Sequence, residues 1–180
     1  KFRRNNQSLL KVNHLSNHVI SESIQKEVLK KFLKISKKID ILIFSDFNYG
    51  FLPEKLVNQI IKICKKNKVI ITADSQSSSQ TGDIGKFHSM NLITPTEHEA
   101  RISTRNNDGG LVVLSEDLMK RSKSKNILLK LGSDGLLIHN GKKQSNSILT
   151  DRIDSLNSSP VDVSGAGDSM LIAASLSLTA

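Results

Sequence analysis

Short unbroken apolar runs alternate along this chain with longer segments whose apolar residues recur at helical spacing, and this alternation restricts the fold more than any other feature. Residues 22–38 carry Ile24, Val28, Leu29, Phe32, Leu33 and Ile35 at steps of three and four, and Ile41-Leu42-Ile43-Phe44 follows as a buried-strand run. The pattern then repeats. Pro53 opens a second helix to about residue 66, with Leu56, Val57, Ile60, Ile61 and Ile63 inward, and Val69-Ile70-Ile71-Thr72 reads as the next strand. A short strand over 91–94, helices over 97–104 and 110–120, and a strand over 127–131 ending in a turn at 132–135 come next. Residues 136–139 and 142–149 read as a hairpin through Asn140-Gly141, a strong turn dipeptide. Strands separated by helices require crossover connections, so the expected fold is α/β, with a mainly parallel sheet and helices on both faces.

Size and charge exclude several classes. A chain of 180 residues, 37% of them hydrophobic, buries one core and not two. Its single cysteine, Cys64, falls inside the second helical segment, so no disulfide framework is available and a buried, small apolar role is expected. The longest apolar stretches are strand-sized, no leader pattern precedes them, and a reducing cytoplasm without membrane contact is the default. The net charge of +9 comes from scattered lysines, among them Lys30, Lys31, Lys34, Lys37 and Lys38 on one polar helix side, with only six Phe and one Tyr to stack bases. Solvated faces are therefore favoured over a nucleic-acid groove. The five histidines fall in separate segments; His14 and His18 share helical spacing but lack the glutamate of a zinc helix. No Gly-x-x-x-x-Gly-Lys-Ser loop is present.

Val161-Asp162-Val163-Ser164-Gly165-Ala166-Gly167-Asp168 runs into the small, apolar segment 170–180 and reads as strand, glycine turn and helix start. Consecutive N–H groups at such a turn converge, and the helix end adds partial positive charge, which together favour a phosphate or a developing oxyanion. Asp168 stands at the same point. A carboxylate there suits a proton acceptor for an alcohol attacking that phosphate, or, more simply, a favourable first-turn acid above an ordinary tight turn.

Two further motifs precede this turn: Thr94-Pro95-Thr96-Glu97-His98-Glu99-Ala100 and Leu129-Lys130-Leu131-Gly132-Ser133-Asp134-Gly135. The series resembles the ribokinase-like (PfkB) carbohydrate kinases, whose Asn-x-x-Glu, Thr-x-Gly-x-x-Gly and Gly-Ala-Gly-Asp motifs fall in that order. The first residues, through Lys1-Phe2-Arg3-Arg4 and Gln7-Ser8-Leu9-Leu10-Lys11-Val12-Asn13, resemble the segment of the heptose-phosphate kinase subgroup that borders the sugar site and its lid, although an ordinary edge strand fits equally. Ser45-Asp46-Phe47-Asn48-Tyr49-Gly50 resembles that subgroup's Asp-Tyr-x-Lys-Gly.

The resemblance implies a ribokinase-like sheet truncated at both ends, with residues 1–20 as lid and sugar-site edge strands and residues 21–180 as a partial kinase core. It implies ATP and Mg2+ as cofactors and in-line transfer to a hydroxyl of a sugar or sugar phosphate, a heptose 7-phosphate-like acceptor being favoured. Asp168 would be catalytic. Gly165, Ala166, Gly167, Lys130, Gly132, Ser133 and Gly135 would bind the nucleotide, Lys1, Arg3 and Asp46 the acceptor, and Glu99 the magnesium through water. A homodimer through the lid strands is a further implication.

Departures from the family pattern are Tyr49 for Lys, Ser75-Gln76 after Asp74 for Pro-Lys, Thr96 for Asn, and Lys130 for Thr. Lys130 either reaches a phosphate as a point charge or points to solvent. The alternatives are another sugar or nucleoside kinase of the family and a non-catalytic kinase-like binding domain.

Overall fold

The structure, a computed structural model, describes residues 2–4, 7–10, 18–76, 82–141, 150–157 and 163–179, the first two of these segments as backbone only. Strands β1 (Phe2–Arg4) and β2 (Gln7–Leu10) pair antiparallel in a sheet of their own. Helix α1 (Glu22–Ile35) begins where the Ser21 hydroxyl accepts from the Ile24 amide, and it stops three residues before the expected 38. The reason is local. Ser36 donates its N–H to the Phe32 carbonyl and its hydroxyl to Leu33, and so closes the last turn. Strand β3 (Ile41–Asp46), helix α2 (Glu54–Asn67) and strand β4 (Ile70–Ser75) follow as the apolar pattern requires.

Strand β5 is only Leu92–Ile93; α3 (Glu97–Thr104), α4 (Leu111–Ser122) and β6 (Asn126–Lys130) come next. β7 (Leu136–Asn140), β8 (Thr150–Ile153) and α5 (Ala166–Ser177) complete the described elements. The six strands β3 to β8 lie in sequence order; β3-β4-β5-β6 are parallel, and β7 and β8 join antiparallel.

The partner of β7 is Thr150–Ile153, with His139 opposite Thr150, so residues 140–149 intervene and Asn140-Gly141 is not a two-residue hairpin turn. Gly141 instead gives its N–H to the Lys125 carbonyl, continuing the β6–β7 ladder, and that pairing takes precedence over local turn chemistry. The expected strand over 142–149 lies outside the described residues.

Strand alternation sorts the residues into two layers. Phe44, Ile71, Ala73, Ile93, Ile127, Leu129 and Leu137 join Phe32, Leu56, Val57, Ile60, Ile61, Leu114 and Leu118 in one core, which sets α1, α2 and α4 on one face. Cys64 is fully buried there, and burial pushes its thiol up to about 11, so it behaves as an apolar filler. The opposite face carries α5, whose Ser175 hydroxyl lies 2.7 Å from that of Thr72 on β4, both fully buried. Helices thus cover both faces, and among the described residues no helix is long and apolar enough to cross a membrane.

Candidate active site

Gly165 caps α5 at φ +79, in the left-handed region, and a Cβ there would meet nothing within 4 Å, so the backbone conformation and not space calls for glycine. The Ala166 N–H is given to the Val163 carbonyl at 3.1 Å, and the first helical bond runs from Ser169 N–H to Gly165 at 2.9 Å. The N–H groups of Gly167 and Asp168 lie in the first turn, which has no carbonyl of its own helix to donate to. This positive helix end stands at the carboxyl edge of β3 to β6, where open α/β sheets collect ligands.

Beyond the end of β6, Gly132–Asp134 form a tight turn with Gly132 at φ +64 and Gly135 at φ +88. It is closed by Leu131 N–H to the Gly135 carbonyl, 2.9 Å, and Gly135 N–H to that of Gly132, 3.3 Å. Between this loop and the start of α5 lies a cleft of about 490 Å³. Lys130, Gly132, Ser133 and Gly135 form one wall; Val163, Ala166, Gly167 and Met170 form the other, with Ser155 and Asn157 at one end. Six of the residues expected to bind nucleotide therefore converge on one space.

Asp168 does not line that cleft. It falls on the helix stripe of Leu171 and Ser175, which are buried against the sheet, while Gly167 and Met170 share the stripe facing the cleft. Ser175 touches Thr72, and Asp168 lies seven residues earlier, about 10 Å up the helix. That distance corresponds to about three strand residues and brings Asp168 level with the carboxyl end of β4. The helix end therefore has two sides, one toward the glycine loop and one toward the ends of β3 and β4. Among the described residues no hydrogen bond or ion pair occupies the Asp168 carboxylate.

Lys130 neither points to solvent nor stands alone. Its ammonium donates to both carboxylate oxygens of Asp74, at 3.1 and 2.9 Å, with side-chain exposures of 14% and 4%. Burial pushes the Asp74 carboxyl above its ordinary range; Lys130 pulls it down, and the nearby Glu99 charge pushes it up. Thr94, at the end of β5, is fully buried, and its hydroxyl has no hydrogen-bond partner among the described residues.

Thr96 and Glu99 form a capping box on α3: the Thr96 hydroxyl accepts from the Glu99 N–H at 3.2 Å, and a Glu99 carboxylate oxygen accepts from the Thr96 N–H at 2.8 Å. The Thr-x-x-Glu pattern at 96–99 signals such a cap directly, and the family motif hid it. Thr96 keeps this arrangement where the family has Asn. Among the described residues no group of three or more His, Cys, Asp or Glu could by itself hold a metal ion. A buried Glu99 engaged in its cap, with Asp74 nearby, fits contact with a hydrated Mg2+ carried mainly by phosphates, and does not fit an all-protein cage.

Asp46, expected on the acceptor side, ends β3 and is buried. One of its oxygens accepts from the Asn48 N–H at 2.9 Å and the other pairs with Lys86, which also donates to the Asn48 side chain at 3.3 Å. Asn48, at φ +58, donates in turn to the Ser75 hydroxyl and the Gln76 carbonyl. Asp46, through Asn48, thus ties together the ends of β3 and β4. Sequence reasoning missed Lys86, although the apolar Ile84, Phe87 and Met90 around it, all buried, mark a segment that packs inward. Lys1 lies outside the described residues; Arg3 is on β1 opposite Ser8, and its side chain is not described.

Comparison with known proteins gives a consistent result. The model of the pfkB family carbohydrate kinases matches residues 12–178. The bifunctional protein HldE of Sulfurimonas denitrificans is 26% identical over 97% of this chain, and that of Desulfatibacillum aliphaticivorans likewise 26% over 97%. In each case this chain covers 35% of the relative, so it spans about a third of the length of the curated relatives it matches. Among solved structures, the tetrameric inhibited form of phosphofructokinase-2 from Escherichia coli superposes with a TM-score of 0.70 at 18% identity, over 89% of this chain and 51% of that one. Arabidopsis thaliana ribokinase complexed with ribose and ATP superposes with a TM-score of 0.59 at 21% identity, over 86% and 46%. These two likenesses speak for the fold alone.

Proposed function

Because the chain belongs to the pfkB family of carbohydrate kinases, we propose that its protein transfers the terminal phosphoryl group of ATP to a hydroxyl of a sugar or sugar phosphate. The observation that carries this is the convergence of two glycine turns on one cleft; the helical position of Asp168, beside that cleft's wall, fits a proton acceptor for the attacking hydroxyl.

The nucleotide's phosphates lie along Gly132, Ser133 and Gly135, with Lys130 beneath them. The transferring group rests against the first-turn N–H groups of Gly167 and Asp168, with Gly165 and Ala166 shaping the turn. On the far side, the acceptor oxygen bonds to the terminal phosphorus as the bond to the bridging oxygen of ADP breaks, and the hydroxyl proton passes to the Asp168 carboxylate. Glu99 would hold magnesium through water, and the ion would supply charge neutralisation on the phosphates.

The HldE relatives favour a heptose 7-phosphate-like acceptor. In this reading Lys1, Arg3 and Asp46 border the acceptor, residues 1–20 form the lid, and β1 and β2 are the surface for a homodimer. A cytoplasmic protein follows from the ATP requirement.

An assay of the complete natural protein with ATP, Mg2+ and a panel of free sugars, sugar phosphates and nucleosides tests the proposal. ADP formation with one acceptor class, greatest for a heptose phosphate, is the expected result. Nucleotide binding without turnover on any acceptor would favour the non-catalytic alternative, for which the replacement of Asn by Thr96 speaks.

A further inference from the structure

We infer that Asp74 is a positioning residue that aims the Lys130 ammonium at the nucleotide's phosphates, a role that rests on the kinase reading above and extends it to a residue outside the glycine motifs. The two side chains belong to β4 and β6, which are not neighbours; β5 lies between them. That strand ends at Ile93, and the chain turns through Pro95, whose carbonyl accepts the Lys130 N–H at 2.8 Å. The ion pair therefore crosses the sheet just beyond the end of its shortest strand, on the floor of the carboxyl edge.

The ammonium also reaches α5. A Cβ built on Gly167 would stand 3.5 Å from Lys130 Nζ, so the cation lies directly beneath the first helical turn. A cation beside a helix N-terminus faces charge of its own sign, an arrangement the fold gains nothing from by itself. It becomes favourable when an anion joins the two, and a phosphate in the cleft would do so.

A buried ion pair is likewise a weak source of stability, since an apolar pair of like volume often serves as well. A lysine stem is flexible, and its ammonium has three donors. Asp74 engages it through both oxygens, which fixes the head group and leaves donor capacity toward the cleft that Lys130 and Gly167 both line. Pairing over β5 thus converts a mobile cation into a fixed one at the point where the phosphates would gather.

The test is a double-mutant cycle in the complete natural protein, read by kcat and KM for ATP and by calorimetric binding of a non-hydrolysable ATP analogue. Lys130→Met is expected to lower kcat/KM for ATP about tenfold or more, and Asp74→Asn to lower it by a similar factor, with Asp74→Glu recovering part of the loss. In the Lys130→Met background, Asp74→Asn should change kcat/KM by less than about twofold, because nothing remains for it to aim.

Asp74→Asn alone leaves a buried ammonium unpaired and lowers stability. The double variant removes both charges, and its melting temperature should stay close to that of wild type while its nucleotide affinity stays low. A double variant that folds and handles ATP like wild type would show that the pair is only structural and overturn the inference. So would independent, multiplying losses, which would mean that Asp74 acts without Lys130. A wild-type protein that binds the analogue with this same coupling but transfers nothing would fail the kinase reading while upholding the positioning role. One that does not bind nucleotide at all would overturn both.

Discussion

Replacing Asp168 with Asn is expected to lower kcat by about a hundredfold or more while leaving ATP affinity within about threefold of wild type. Loss of a positioned proton acceptor typically costs ~10²–10⁴ in rate, at least about 2.7 kcal/mol of barrier. Asn keeps the size, the first-turn position and one acceptor oxygen, so α5 should form as before; what it removes is the ability to take the proton. The split between the two constants follows from the two-sided helix end. Gly167 and Met170 line the cleft, whereas Asp168 shares its helical stripe with the buried Leu171 and Ser175. Steady-state kinetics with the acceptor saturating, beside calorimetry with the ATP analogue, checks both halves. A variant with undiminished kcat would remove Asp168 from the chemistry, and one that loses nucleotide binding would place it on the wrong side of the helix.

The second large effect concerns Gly135. Here both space and conformation demand glycine: φ is +88 and ψ −131, and a Cβ would stand 2.1 Å from the Ile153 carbonyl oxygen and 2.8 Å from Asp154 C and Ser155 N. These are backbone atoms and cannot swing away. Gly135→Ala should therefore cost about 3 kcal/mol or more, a fall in melting temperature of roughly 6–12 °C for a domain of this size. Activity should fall with it, because the segment pushed outward carries Ser155 and Asn157 at the end of the cleft. Gly132→Ala is the control. Nothing lies within 4 Å of a Cβ there, and only its φ of +64 resists substitution, at about 1–2 kcal/mol. Thermal melts of the two variants should differ by several degrees; equal melts would mean that the contact between the Gly135 turn and residues 153–155 is not as described.

Local patterns made the parallel half of the sheet legible. β3, α2 and β4 are continuous periodic segments, and α3 runs over 97–104 as its spacing requires because Thr96 and Glu99 cap it. The antiparallel half was read less well. Asn140-Gly141 is a strong turn signal in isolation, but the pairing of β7 with β6 carries the chain past it, and no window of a few residues contains that information. The site divides in the same way. Its glycines stand in contiguous motifs and were readable as such, whereas its charges pair over long separations: Lys130 with Asp74 across 56 residues, and Lys86 with Asp46 across 40. Each of these four residues, taken alone in the sequence, is compatible with a solvated side chain, and the sheet order alone brings them together.

A crystal structure of the complete natural protein with an ATP analogue and Mg2+ would show whether the start of α5 receives the transferring phosphoryl group. The terminal phosphate is expected within hydrogen-bond distance of the Gly167 and Asp168 N–H groups, with the other phosphates along Gly132, Ser133 and Gly135. The Asp168 carboxylate should face the opposite side, open toward the ends of β3 and β4. A nucleotide bound elsewhere, or a phosphate chain that leaves the start of α5 untouched, would contradict it.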